Sequence, residues 1–389
     1  MIRAGIRAAG LLAATISLST AAVPPPLPAE ELTVEQLGPQ SSHWGYILDE
    51  AFLNEIDGRI FLFDGDSYRR LGQIGAGYFP TAILSPDGKT TAVGTTYFSR
   101  GTRGERTDLV EFTDNATLNV TGEIVLPTKR ALTLPSIFSL AYSLNGRFLY
   151  VAYITPAASF GVLDPSARRV LGEVDTPGCV LVIPSGPDRV SSLCESGRLL
   201  TVRLNEEGRE TTRALSEPFF DPDVDPVFVQ GIPTARGYAF LSFLGQVHDV
   251  DFSGPLPVAA PAWSLVEPAD RGRWRPGGVQ IAALHRGLRR LYVPMHRGGE
   301  GSHKDGGTEI WVFDYDRHTR LARWPLPAKD VGTSIAVQVS QDDHPIVFAA
   351  TDKSNLLVID GLTGKLRHVE RALGQTPWMI LTPDTRGAP

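Results

Sequence analysis

Six times along this chain, a buried strand runs into a polar turn and out again into a second strand. Leu84-Ser-Pro-Asp-Gly-Lys89 leads into Thr91-Ala-Val-Gly94, and Tyr142-Ser-Leu-Asn-Gly-Arg147 into Phe148-Leu-Tyr-Val151. Further copies begin at Ile183, Ile232, Leu284 and Val339. Each turn is rich in the residues that tolerate hairpin dihedrals, and each following strand is β-branched or aromatic. A second element closes most units: an apolar strand that ends in aspartate, at Asp64, Asp164, Asp251, Asp314 and Asp360. Four short antiparallel strands per unit, at roughly 40–55 residues per unit, is the pattern of propeller blades. The expectation is therefore an all-β, seven-bladed β-propeller occupying residues 41–389 as a single domain. Six and eight blades stay open, because the first and last units are imperfect. Trp378-Met-Ile-Leu-Thr382 matches the inner-strand pattern and is expected to pair beside the first blade, removing an exposed edge.

The N-terminus has the form of a secretory signal over residues 1–22. Arg3 and Arg7 supply positive charge, Ala8 to Ile16 is apolar, and small residues follow through Ala22. Cleavage after Ala21, Ala22 or Ala29 fits equally, and a buried N-terminal helix is the alternative reading. Residues 23–40, opening with Val23-Pro-Pro-Pro-Leu-Pro28, read as an extended segment. Export places the protein in the periplasm. There the only two cysteines, Cys179 and Cys194, read as one disulfide across a hairpin. The closed loop of about fifteen residues is worth roughly 3 kcal/mol; two free buried thiols are the alternative.

A net charge of −6 argues against a nucleic-acid binder. After the N-terminus, no apolar run approaches the ~20 residues of a membrane helix. No nucleophile elbow, P-loop, CxxC or HExxH is present. His285, His296 and His303 are spaced eleven and then seven residues apart, which suits no local metal motif, so surface or hydrogen-bonding roles are expected. Arg271, Arg273, Arg275, Arg286, Arg289, Arg290 and Arg297 crowd one stretch. They read as a solvated face or as a patch facing an acidic partner.

Several stretches resemble the heavy chains of the quinoprotein amine dehydrogenases, the methylamine and aromatic amine types. They are Thr95 to Asp108 with its Arg-Gly-Glu-Arg-Thr-Asp, Leu126-Pro-Thr-Lys-Arg130, the segment around Cys179 and Cys194, Trp274-Arg-Pro-Gly-Gly278, and Met295 to Asp314. The second-cysteine region and the Gly-Glu-Gly-Ser-His-Lys loop are nearer to the aromatic amine type. The resemblance implies a heavy subunit with no cofactor or catalytic residue of its own in an α2β2 heterotetramer. The light chain of such an enzyme carries tryptophan tryptophylquinone, made from its own tryptophans. It oxidises a primary amine to aldehyde and ammonia and passes electrons to a blue copper protein, azurin- or amicyanin-like. The six tryptophans here are then ordinary core or interface residues. The family's early phenylalanine on the amine path corresponds to Phe52, or to Leu53 if the alignment slips by one. Packing inside the first blade is the alternative role for Phe52. Two other classes compete: a stand-alone ligand-binding propeller, and a lactonase-like propeller needing a metal in its channel.

Overall fold

A computed structural model describes residues 35–133 and 136–383; the predicted signal segment and most of the extended segment lie outside these residues. Among the described residues, helix is confined to one α-turn at Ala328–Val331 and three 3-10 turns. The rest of the regular structure is antiparallel strand. The first strands are β1 (Trp44–Asp49), β2 (Gly58–Asp64), β3 (Arg69–Leu84), β4 (Thr90–Phe98), β5 (Arg106–Asp114) and β6 (Val120–Leu126). They form a seven-stranded sheet with the final strand, Pro377–Leu381, beside β1. β3 serves two partners: Arg69 to Gly77 pairs with β2, and Tyr78 to Leu84 pairs with β4. Five further sheets of four or five strands follow in chain order. They start at Leu140, Cys179, Val227, Trp274 and Ser334. Among the described residues, hydrogen bonding thus gives six open, propeller-type sheets, one of them of seven strands, where the sequence led us to expect seven.

The strand sequences account for their places. Ser334–Val339, Ile346–Thr351 and Leu356–Ile359 are buried throughout, as expected for apolar runs covered on both faces by neighbouring sheets. Thr319–Pro325 alternates between exposed and half-buried positions, as an outer strand with one wet face should. The strand-ending aspartates are turn-makers. Asp164 Oδ1 accepts the N–H groups of Ser166 (3.0 Å) and Ala167 (2.9 Å), and Asp360 Oδ1 those of Leu362 (3.1 Å) and Thr363 (2.9 Å). Each such bond lets the chain reverse without regular backbone partners. The other turn type is held by serine: Ser85 Oγ accepts from Thr90 N–H at 3.0 Å, and Ser143 Oγ from Phe148 N–H at 2.9 Å.

Different sheets are stapled by glutamine side chains at the cavity. Gln230 accepts from Ile281 N–H (2.8 Å) and donates to Ala282 O, while Gln280 does the same for both backbone groups of Ile380 (2.7 and 3.0 Å). Cys179 and Cys194 face each other directly across a hairpin and are joined by a disulfide.

A charged clasp ties the first and last sheets. The His43 ring touches Asp66 through Nδ1 (2.8 Å) and Asp342 through Nε2 (3.1 Å), the latter 299 residues away. Burial alone would pull His43 down, but hydrogen bonds and charge from Asp66 and Asp342 outweigh it and leave its pKa above 6.5. Burial raises Asp342, and bonds from Ser340, the His344 N–H and His43 more than reverse this, bringing it to about 2. The charged clasp is therefore complete below 6.5 and is lost as pH rises through the raised His43 value. Its carboxylate side is lost only as pH falls toward about 2. Stability should drop as pH rises above 6.5 by on the order of 1 kcal/mol, and His43→Gln should flatten that slope. Thermal melts across this range check it; parallel curves for the two proteins would reject the clasp.

Candidate functional site

The innermost strands of all the sheets begin around one depression, a cavity of about 540 Å³. Phe79, Val180, Phe228, Ile335 and Trp378 from strands, Ile137 from a 3-10 turn and Val279 from a connection make its wall apolar. Its polar groups are mostly committed to the protein. Gln230 and Gln280 are the staples described above, and Ser136 Oγ donates to Val229 O at 2.6 Å. Such a surface is suited to apolar contact. The disulfide anchors the strand that supplies Val180 and Leu181 to this wall.

Arg130 lies at the cavity's side and is buried. Its guanidinium donates to Thr96 Oγ1 (2.9 Å), Phe79 O (2.8 Å) and Gly94 O (2.8 Å). Its own N–H donates to Asp108 Oδ2 at 2.9 Å. Asp108, 0% exposed, is gripped by both arms of Arg106 at 2.8 Å. Burial pulls Arg130 down to about 10, against the opposing influence of Asp108 and Glu50, so it stays charged at neutral pH. The carboxyl of Glu50, 1% exposed, has no hydrogen-bond partner among the described residues. Burial drives its pKa well above the ordinary value, only partly opposed by Arg130.

Phe52 lies in the β1–β2 connection at the edge of this cavity. Its ring is half-buried, edge-on to Trp378 at 5.0 Å and tilted against Phe79 at 6.3 Å, both cavity residues. Leu53 beside it is 92% exposed. The connection is held firmly. Asp49 accepts from the N–H groups of Ala51 (3.2 Å), Gln375 (2.9 Å) and Thr376 (2.6 Å), and Tyr78 Oη donates to Glu55 at 2.7 Å. Arg59 pairs with Asp57 at its far end.

The other candidates separate. His285 donates to Asp342 O at 2.8 Å and accepts from Leu288 N–H at 2.9 Å. His296 contacts Ser302 Oγ at 3.0 Å, and His303 stacks on Phe243 at 4.1 Å by the cavity rim. The arginine cluster is not one patch. Arg290 and Arg297 occupy opposite ends of a single strand, roughly 23 Å apart at 3.3 Å per residue. Arg286 and Arg289 lie in the turn at the first end, whereas Arg271, Arg273 and Arg275 lie near the second. Linear proximity misled because a strand carries neighbours in sequence from one rim to the other.

The sequence stretches that carried the resemblance have structural work. Arg106, Asp108 and Arg130 are the buried ion network. In Trp274-Arg-Pro-Gly-Gly278, Trp274 lies between Arg297 and Arg323, 4.9 and 4.5 Å from its ring centre. A Cβ on Gly278 would meet Ile335 O at 2.6 Å, so only glycine allows the neighbouring strand so close. A family model described as methylamine dehydrogenase heavy chain (MADH) matches residues 42–384. The chain belongs to that family. Similar relatives include the methylamine dehydrogenase heavy chain of Methylobacillus flagellatus, 26% identical and covering 97% of each chain. That of Paracoccus versutus is 29% identical, covering 87% of this chain and 79% of its own. A solved dihydro-heme d1 dehydrogenase in complex with DHE shares the fold, with a TM-score of 0.53 at 17% identity over 87% of this chain and 66% of that one. In this heavy-chain family member the Arg106–Asp108–Arg130 network and Gly278 hold the cavity wall in place. Arg130→Met should therefore cost about 3 kcal/mol or more, by orphaning the buried Phe79 O and Gly94 O and removing the buried positive charge beside Asp108, which keeps its bonds from Arg106 and from the backbone N–H of residue 130. Denaturant unfolding measures this, and a loss under about 1 kcal/mol would show the network to be dispensable.

Proposed function

We propose that this chain is the heavy, non-catalytic subunit of a periplasmic amine dehydrogenase. The observation that carries the reading is the match to heavy chains across residues 42–384, nearly all of the described chain. In this reading the protein has seven blades, with β3 counted once in each of the two sheets it joins and the final strand completing the first blade. The propeller is one domain, preceded by an extended segment and a cleaved signal peptide. The buried disulfide supports an oxidising compartment.

The partner is a light chain carrying tryptophan tryptophylquinone, in an α2β2 heterotetramer. That group supplies the redox chemistry that converts a primary amine to aldehyde and ammonia; a blue copper protein, azurin- or amicyanin-like, takes the electrons. The tryptophans of this chain are used otherwise: Trp274 and Trp311 pack at 5.2 Å among arginines in the core. What this chain contributes is surface. The apolar cavity mouth and the exposed Leu53 form the docking face for the light chain, burying apolar area on assembly. Phe52, firmly held at the rim, lines the amine path and keeps it apolar, so that water is excluded and the amine substituent is sorted by contact.

Purified alone, the chain should show no visible chromophore and no amine-dependent dye reduction. Co-expressed with the light-chain gene, it should co-purify with it and gain both. Activity in the single chain would overturn the scaffold role. A single chain that neither reduces dye nor captures a light chain would instead support a stand-alone binding propeller.

A further inference from the structure

In the final strand the register against β1 slips. Tyr46, Ile47 and Leu48 face Leu381, Ile380 and Met379, but Asp49 faces Pro377. Trp378 is the extra residue of that bulge. A bulge bends the strand and re-aims a side chain, and here the indole is turned onto the Phe52 ring, edge-on at 5.0 Å, and into the cavity wall. The bulge is fixed from below. The carboxylate of Asp49 caps Gln375 and Thr376 on the Trp378 side and Ala51 on the Phe52 side, so one buried group sets both backbones. A Cβ on Gly374, whose φ is +79°, would run into that carboxylate. The backbone of the Phe52 connection is therefore fixed by Asp49, while its ring has two aromatic neighbours, Trp378 and the more distant Phe79.

We propose that Trp378 is a positioning residue for amine specificity, holding the Phe52 ring in one orientation at the cavity rim. This rests on the reading that Phe52 lines the amine path. Trp378 acts through Phe52: removing the indole frees the ring to rotate into the cavity, and the width of the path changes while its backbone does not. An edge-on aromatic pair is worth an energy equivalent to roughly 2- to 12-fold in an equilibrium, so this is the size of effect to seek.

The test uses the assembled heavy-and-light-chain enzyme with Trp378→Ala, Trp378→Leu, Trp378→Phe and Phe52→Ala. The readout is the ratio of kcat/KM for methylamine to that for 2-phenylethylamine, with kcat and KM resolved separately and a melt run beside each. Trp378→Leu keeps an apolar filler and decides the matter if the alanine variant fails to assemble. The expected result is a ratio moved by roughly 2- to 12-fold in the alanine and leucine variants and restored by phenylalanine. A ratio that stays at the wild-type value in both, while Phe52→Ala moves it, would overturn the role of Trp378 and leave the amine-path reading intact. A ratio unmoved by Phe52→Ala would overturn the amine-path reading itself. A lower melting point with an unchanged ratio would mark Trp378 as packing only.

Discussion

The pairing of β1 with the final strand is the contact on which the rest of the structure depends. It joins Tyr46–Asp49 to Pro377–Leu381, segments more than three hundred residues apart, and so converts a row of sheets into one body. It also makes the candidate site. Phe52 follows β1 and Trp378 lies within the final strand, so the two rings meet only because these strands pair. Asp49 caps the loops on both sides of the join, and the His43 clasp with Asp342 reinforces the same seam from the other end of β1. Closing so long a loop is entropically costly. At the seam, the buried Asp49 carboxylate, the ladder bonds of the strand pair and the Phe52–Trp378 contact act together.

Much of the architecture was legible because it is local. Strand–turn–strand units with Ser, Asn, Asp and Gly at fixed places specify hairpins, and the strand-ending aspartates do what their position suggested. The pattern in Trp378 to Thr382 was enough to place a strand beside the first sheet. The resemblance to heavy chains rested on stretches that include Arg106, Asp108 and Arg130, which hold the side of the cavity, and Trp274, which packs among Arg297, Arg323 and Trp311. What was hidden is long-range. No local pattern says that a bulge aims Trp378 at Phe52, or that Arg130 binds three groups from two other strands. The arginines from 271 to 297 looked like one patch because sequence distance ignores that a strand spans the sheet from rim to rim. The division of β3 between two sheets, which gives six hydrogen-bonded sheets where seven units were expected, also has no signature short of the pairing itself.

The site's character is consistent with a subunit that offers surface and shape. Around the cavity, polar groups such as Gln230, Gln280 and Arg130 are directed at neighbouring backbone, leaving aromatic and aliphatic side chains toward the opening. A wall of this kind gains most by excluding water against another apolar surface. The rigidity of the Phe52 connection, with its carboxylate cap and its Tyr78–Glu55 bond, suits a group that must present one fixed shape to a partner.

The central claim, that the cavity face carrying Phe52 and Leu53 is where the light chain docks, is tested most directly by hydrogen-exchange mass spectrometry of this chain alone and in complex. The account predicts slowed exchange in residues 50–57 and in the strand starts around Phe79, Val180, Phe228 and Ile335, with the opposite turns at 85–89, 143–147 and 286–289 unchanged. Protection confined to those opposite turns, or to the outer strands, would place the partner elsewhere and contradict it.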